Sequence, residues 1–189
     1  MKKLMILGAG IYQVPLIRKA REMGLCTIVV SIPGNYPGFA LADQVCHLDT
    51  RDREGILKAA REAGISGICT AGTDVAVAAV GYVCDHLGLA GISAHAAETA
   101  TDKWKMKEAF QKGQVSTAAF RQVFSLKEAL EAASELGYPV CLKAVDKSGS
   151  RGIQKVSSEK EMEAAWPASR RVNDKNYLLF EDNIESHEI

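Results

Sequence analysis

A lysine beside a loop of small residues is the feature of this sequence that most clearly suggests chemistry. Lys143 ends the apolar run YPVCLK at 138–143, where a buried ammonium group is costly unless an anion meets it. The segment SGSRG at 148–152 follows, and its backbone N–H groups could cradle a phosphate with Arg151 beside them. The combination predicts a triphosphate site, while a solvated lysine next to an ordinary hairpin turn is the alternative that these features alone leave open.

A glycine turn near the start of the chain is the second candidate. Gly8 and Gly10 lie between an apolar run and a helical pattern, and they resemble the fingerprint that places a pyrophosphate on a helix N-terminus. However, Gln13 replaces the third glycine, and Ser31 stands where an acidic residue would bind the ribose. We therefore keep an NAD-dependent oxidoreductase only as an alternative and expect a tight turn in which Gly10 contacts a substrate.

Two polar residues follow the predicted fourth strand. Thr73 and Asp74 lie at the carboxyl end of that strand, the edge at which open α/β sheets bind their ligands. They are therefore candidates for substrate binding. The competing interpretation is that they cap the helix that follows.

Apolar runs and helical patterns alternate through the first part of the chain. Strands are expected at 3–7, 26–31, 45–48, 66–70 and 89–92. Strands without a polar face are typical of a parallel sheet that helices cover on both sides. The sequence therefore predicts an α/β fold with a doubly wound, Rossmann-like parallel sheet in residues 1–95.

The pattern changes after Lys103 to that of a smaller α+β unit. Helices are expected at 102–111, 126–136 and 158–166, and strands at 118–124, 139–145, 152–156 and 177–181. Ser125 with Glu128, and Ser158 with Glu161, have the spacing of capping boxes that begin two of these helices. We predict connecting helices at 96–113 and a second domain at 114–189.

The composition argues against several classes of protein. The 23 basic residues balance the 23 acidic ones, and both are spread evenly, so we expect no nucleic-acid partner. No apolar segment has the length of a membrane span, so we expect no membrane partner. The five cysteines form no C-x-x-C pair and the four histidines have no metal-ligand spacing, which predicts a reduced, cytoplasmic protein without a metal site in this chain.

Taken in order, the motifs resemble the amino-terminal part of ATP-grasp enzymes, the superfamily of carbamoyl phosphate synthetase, biotin carboxylase and glycinamide ribonucleotide synthetase. The matching features are ILGAG at 6–10, Asp102-Lys103 with Met106-Lys107, YPVCLK at 138–143, SGSRG at 148–152 and FEDNIESHE at 180–188. The resemblance implies a pre-ATP-grasp domain of the predicted α/β type, followed by a small α+β ATP-grasp lid subdomain.

The resemblance also implies which residues contact ATP. Lys103 and Lys143 would reach the phosphates, and the loop of Ser148, Gly149, Ser150, Arg151 and Gly152 would close over them. At the other end of the nucleotide, Glu181 would lie by the adenine amino group, the backbone of Asp182 and Ile184 would read the adenine edge, and Glu188 would hold the ribose hydroxyls.

We expect the family's third subdomain, which carries its metal ligands, to be absent from this sequence. The resemblance thus implies ATP and Mg²⁺ as cofactors, with the Mg²⁺ ligands in the missing part, and a carboxylate substrate activated as an acyl phosphate for attack by an amine or similar nucleophile. We expect the chain alone to be incomplete and inactive, with a homodimer or a partner chain supplying the missing subdomain. A non-catalytic nucleotide-binding module and one half of a split enzyme are the alternatives.

Overall fold

The computed structural model describes residues 1–147 and 149–184 and divides the chain into two compact units. The first unit is Met1–Thr101 and the second is Asp102–Ile189. No helix in the described part of the chain is both long and apolar enough to span a membrane.

The first unit is built on a parallel sheet. Its strands are β1 (Lys3–Leu7), β2 (Cys26–Ser31), β3 (Gln44–His47) and β4 (Gly67–Thr70). They lie in the order β3-β2-β1-β4, and each neighbouring pair is parallel. This confirms the predicted α/β class with a parallel sheet, and it makes β1 and β2 interior strands, which explains their unbroken apolar sequences.

Helices lie on both faces of this sheet. They are α1 (Val14–Glu22), α2 (Arg53–Ala63), α3 (Val77–Leu87) and α4 (Ala94–Thr101), and short 3₁₀ turns cover Ile11–Gln13 and Phe39–Leu41. Alternate residues of β1 separate the two faces: Met5 and Leu7 pack with α2 and α3, whereas Ile6 packs with α1. Strand β1 therefore contributes to two hydrophobic cores.

The strand predicted at 89–92 is wrong. Gly88 ends α3 in the left-handed conformation, and the residues that follow form no strand. Leu89 and Ile92 instead pack, partly buried, against the α2–α3 core from an irregular segment. The apolar signal came from side-chain packing and not from sheet pairing.

Antiparallel strands form the sheet of the second unit. The strands are β5 (Phe120–Val123), β6 (Val140–Lys143), β7 (Ile153–Val156) and β8 (Leu178–Asp182), and the helices are α5 (Lys103–Lys112), α6 (Leu126–Leu136) and α7 (Glu159–Val172). The strand order is β5-β8-β6-β7, so β8 pairs on both edges, and Leu178 and Phe180 are fully buried. A core shared with α6 and α7 covers one face.

Two details of the helices refine the predictions. Helix α7 continues past the expected end at 166 and through Pro167, because its buried stripe extends to Ser169. Both predicted capping serines accept a hydrogen bond from the backbone N–H of the glutamate three residues later. Each glutamate, however, accepts from the residue before the serine: Glu128 from Phe124 N–H at 3.0 Å, and Glu161 from Ser157 N–H at 2.8 Å.

The turn between β1 and α1 is closed by the side chain of Gln13. This side chain is only 5% exposed; its Oε1 accepts from the backbone N–H of Gly10 at 2.9 Å, and its Nε2 donates to the carbonyl of Ala71. A Cβ at Gly8, where φ is +98°, would lie 2.9 Å from Gln13 Cδ. Gln13 therefore fills the turn and joins it to the segment after β4.

We predict that Gln13→Glu destabilises the first unit. The substitution replaces the amide donor with a second acceptor facing the Ala71 carbonyl and buries a charge, so we expect a loss of about 2–4 kcal/mol at pH 8. The loss should shrink as the pH falls, because protonation restores a donor. Urea unfolding followed by circular dichroism measures this loss of stability. Gln44→Glu, at an exposed position of β3, is the matched control. Equal stability of the two variants would contradict the bridging role of Gln13.

Candidate functional site

Glu181 is the buried charged residue around which the second unit's polar face is organised. It lies on the central strand β8, and its side chain is 6% exposed. Its Oε1 is 2.9 Å from Lys143 Nζ, and its Oε2 is 2.9 Å from Lys107 Nζ. Each carboxylate oxygen therefore has its own ammonium partner, which is what allows the charge to be buried.

Lys143 reaches Glu181 from the neighbouring strand. It ends β6, whose register pairs Cys141 with Glu181 and Lys143 with Leu179. Lys143 keeps 24% of its side-chain surface exposed and is followed directly by the hairpin that leads to β7. It is therefore the more accessible of the two lysines that face the carboxylate.

Lys107 is the residue that sequence reasoning missed. It lies on α5, is 13% exposed, and donates to Thr117 Oγ1 at 2.6 Å in addition to its ion pair. Its Nζ also lies 5.6 Å from the centre of the Phe120 ring. The available signal was its position one helical turn after Lys103, which places both lysines on the same side of α5.

The charge balance of this cluster favours an anion. Two ammonium groups share one carboxylate, so the cluster carries one positive charge in excess. A partly buried positive charge is unfavourable without a negative charge nearby. An anionic ligand at the exposed side of Lys143 would supply that negative charge. The arrangement can therefore attract a phosphate without further rearrangement of Glu181.

The first turn of α5 contacts the base of the glycine loop. Asp102 caps the helix by accepting from the N–H groups of Trp104 and Lys105. The backbone N–H of Lys103 donates to the Val145 carbonyl at 3.1 Å, and its Nζ donates to the Lys147 carbonyl. Lys103 is thus brought to the loop that follows Lys143.

The described part of the loop has an unusual backbone. Gly149, Ser150 and Gly152 all have positive φ, at +65°, +58° and +73°. At Gly152 a Cβ would lie 2.7 Å from Ala144 Cβ, so the position requires glycine. Arg151 is exposed between them, and Ser148 lies outside the described residues. Positive φ at two successive residues is typical of the short turn of a β-hairpin, which here joins β6 to β7.

Asn173 anchors the base of the loop to the segment before β8. The side chain is buried, and its Oδ1 accepts from Val145 N–H at 2.9 Å. Its Nδ2 donates to the carbonyls of Lys175 and Tyr177 at 2.8 and 2.7 Å. Both the oxygen and the nitrogen of this side chain are therefore bonded to backbone groups that fix where the loop begins.

A pair of charged contacts supports the same anchor. Asp146 accepts from the backbone N–H of Asp174 at 2.9 Å, and Lys147 donates to the Asp174 carboxylate. That hydrogen bond, with the nearby negative charges, raises the pKa of Lys147 above its usual value. The loop base is consequently tied by side chains on both sides of Asn173.

The end of β8 carries the remaining predicted nucleotide residues. The backbone N–H of Asp182 donates to the Ala119 carbonyl at 2.9 Å, and the Ile184 side chain is largely exposed. Cys141 donates through its Sγ to Asn183 Oδ1 at 3.3 Å. Burial raises the pKa of the Cys141 thiol, so it stays protonated and able to donate near neutral pH. Glu188 lies outside the described residues.

The substrate candidates of the sequence analysis belong to the first unit. The Gly10 turn and the segment after β4 meet, because Gln13 bonds to both and a Cβ at Gly72 would lie 2.6 Å from Tyr12 Cβ. Neither Thr73 nor Asp74 caps α3, whose N-cap is Ala76. Thr73 is half-buried and Asp74 is exposed.

Metal ligands do not cluster in the described part of the chain. Among residues 1–147 and 149–184, no group of three His, Cys, Asp or Glu side chains is arranged to hold a metal ion. The five cysteines are free thiols.

Comparison with known proteins identifies the class of the second unit. Residues 102–187 match the family model described as carbamoyl-phosphate synthase L chain, ATP binding domain. The match contains Lys107, Lys143 and Glu181 together with the glycine loop. The predicted resemblance to ATP-grasp enzymes is confirmed, and these residues lie in the part of the chain that is similar to an ATP-binding domain.

Individual proteins of this class are similar to the chain. Alanine–anticapsin ligase of Bacillus subtilis (strain 168) is 34% identical over 121 residues, which cover 64% of this chain and 25% of the ligase. The crystal structure of phosphoribosylglycinamide synthetase from Anaerococcus prevotii has a TM-score of 0.73 at 31% identity, covering 97% of this chain and 46% of that one.

A nucleotide complex is also among the similar structures. The biotin carboxylase domain of Hydrogenobacter thermophilus 2-oxoglutarate carboxylase, crystallised with MgADP, ADP and bicarbonate, has a TM-score of 0.79 at 25% identity. The match covers 97% of this chain and 44% of that domain. The chain thus spans less than half the length of each of these relatives.

We predict that Asn173→Asp destabilises the second unit. The new carboxylate still accepts from Val145, but it turns an acceptor toward the Lys175 and Tyr177 carbonyls, so we expect a loss of about 2–4 kcal/mol. Urea unfolding followed by tryptophan fluorescence measures this, because both tryptophans lie in the second unit. Asn176→Asp, an exposed neighbour, is the control. If both variants unfold at the same urea concentration, Asn173 does not anchor the loop.

Proposed function

We propose that the chain is the ATP-binding front part of an ATP-grasp ligase. The single observation that carries this proposal is the pair of lysines on the buried Glu181, directly beside a glycine loop with positive φ angles. In this proposal residues 1–95 are the Rossmann-like, doubly wound pre-ATP-grasp domain, 96–113 are connecting helices, and 114–189 form the lid subdomain.

The donor set fits a nucleoside triphosphate. Cations and backbone N–H groups suit phosphate, and Lys143, Lys103 and the loop 149–152 supply them from one region of the second unit. Acceptors suit the nucleoside, and Glu181 and the backbone after β8 offer them. We assign Ser148 to the phosphate loop and Glu188 to the ribose on the family resemblance alone.

The reaction proposed for the whole enzyme is the activation of a carboxylate. ATP supplies a phosphoryl group that makes a carboxylate susceptible to an amine or similar nucleophile, and Mg²⁺ neutralises the phosphate charge. Within this chain, Lys143 and Lys103 would hold and orient the phosphates, and the loop would exclude water from them. We assign Gly10, Thr73 and Asp74 to contacts with the carboxylate substrate.

In this proposal the metal ligands and the site for the nucleophile lie outside the residues that the structure describes. The relatives are more than twice as long as the matched region, which supports that division. The missing part could belong to the same polypeptide or to a partner chain, and a split enzyme is the second form of the same proposal.

We predict that Lys143→Ala weakens the binding of ATP by about 10- to 100-fold. A hydrogen bond to a charged group contributes about 1.5–3 kcal/mol, and this lysine would make one to a phosphate. Isothermal titration calorimetry of the 189-residue chain with ATP in Mg²⁺ buffer measures it. Lys127→Ala, which removes a lysine that is 85% exposed on α6, should bind like the wild type.

Two results would contradict the proposed function. One is a wild-type chain that binds no ATP under these conditions. The other is an unchanged affinity in Lys143→Ala. A chain that binds NADH but not ATP would instead favour the oxidoreductase alternative.

A further inference from the structure

The two lysines on Glu181 differ in how firmly they are held. Lys107 is 13% exposed, projects from a helix, and has a second fixed partner in Thr117 at 2.6 Å. Lys143 is 24% exposed and immediately precedes the glycine loop. One lysine is therefore built into the unit, and the other lies at the border of the loop.

The helix that carries Lys107 is itself fixed within the second unit. Trp104 of α5 packs edge-on against Phe120 of β5, with ring centres 5.3 Å apart, and the same Phe120 ring lies beneath the Lys107 ammonium group. These contacts hold Lys107 without the β6–β7 loop. Lys143 has no comparable second contact with a helix among those described here.

A buried carboxylate limits what Lys143 can do. If Lys143 turned from Glu181 toward a phosphate, Glu181 would stay 6% exposed and still require a cation. Lys107 supplies that cation at 2.9 Å without moving. A single lysine would have to divide its one charge and its three N–H donors between the carboxylate and a phosphate.

We propose that Lys107 is the permanent counter-ion of Glu181 and a positioning residue that releases Lys143 from the carboxylate to the nucleotide's phosphates. This inference rests on the proposed ATP site and concerns how that site changes when it fills. Without Lys107, Lys143 would be the only cation paired with Glu181 among residues 1–147 and 149–184, and the phosphates would lose their contact. The nucleoside end of the ligand is affected much less.

The ratio of two dissociation constants isolates this effect. Kd for AMP divided by Kd for ATP reports the contribution of the β- and γ-phosphates, and it cancels changes at the nucleoside end. Calorimetry of the full 189-residue chain in Mg²⁺ buffer gives both constants. We expect Lys107→Met to lower the ratio by about 10-fold, the loss of one charge-assisted hydrogen bond to phosphate.

Three further variants separate positioning from direct contact. Lys107→Arg keeps a cation on Glu181 and should stay within about 3-fold of the wild-type ratio. Lys105→Met removes an exposed lysine from the same helix and should not change the ratio. In the Glu181→Gln background no carboxylate holds Lys143, so adding Lys107→Met should lower the ratio by less than about 2-fold.

The outcomes distinguish this inference from the proposed function. If the wild-type chain does not bind ATP, both the proposed function and the inference about Lys107 are wrong. Suppose that the wild-type chain binds ATP and that Lys143→Ala lowers the ratio. If Lys107→Met then leaves the ratio unchanged, only the inference about Lys107 is wrong. An equal reduction by Lys107→Met in both backgrounds overturns it as well, because Lys107 would then contact the phosphates itself.

Discussion

The structure of the second unit depends on the burial of one carboxylate. Removing a carboxylate from water has an effective penalty of several kcal/mol, and it can be tolerated only with well-placed cations. Glu181 is on β8, one of the two interior strands of the sheet, and its two cations come from the neighbouring strand and from a helix. Lys143 on β6 and Lys107 on α5 meet that requirement, and the register of β6 against β8 and the docking of α5 on β5 follow from it.

Much of the fold could be predicted because it depends on local sequence patterns. The bounds of β1, β2 and α6 agree with those expected, since apolar runs, glycines at helix ends and capping serines report directly on these elements. The segment at 89–92 could not be assigned correctly, because a short apolar run packs equally well as a strand or as an irregular segment against a core. The helix expected at 158–166 continues through Pro167 to Val172, because its buried stripe extends to Ser169.

The site was only partly accessible from the sequence. Lys143 and the glycine loop stand out because a charged residue ends an apolar strand. Glu181 stands out because the apolar run before it leads into a stretch of acidic residues. The contact between Lys107 and Glu181 could not be found in this way, since it depends on the strand order β5-β8-β6-β7 and on the path of α5. The same holds for Asn173, whose three backbone partners come from two segments that only the tertiary fold brings together.

The choice of lysine at position 143 beside Glu181 has a physical reason. An arginine would bind a carboxylate through two parallel hydrogen bonds, which suits a permanent pair. A lysine is a compact charge on a flexible stem, so it can exchange one oxygen for another without losing a fixed planar geometry. In the proposed site Lys143 would benefit from this property, because it would exchange the Glu181 carboxylate for a phosphate, whereas Lys107 is held by Thr117 and does not need it. The asymmetry of the two lysines thus lies in their surroundings and not in their chemistry, and the buried Glu181 turns that asymmetry into a difference in function.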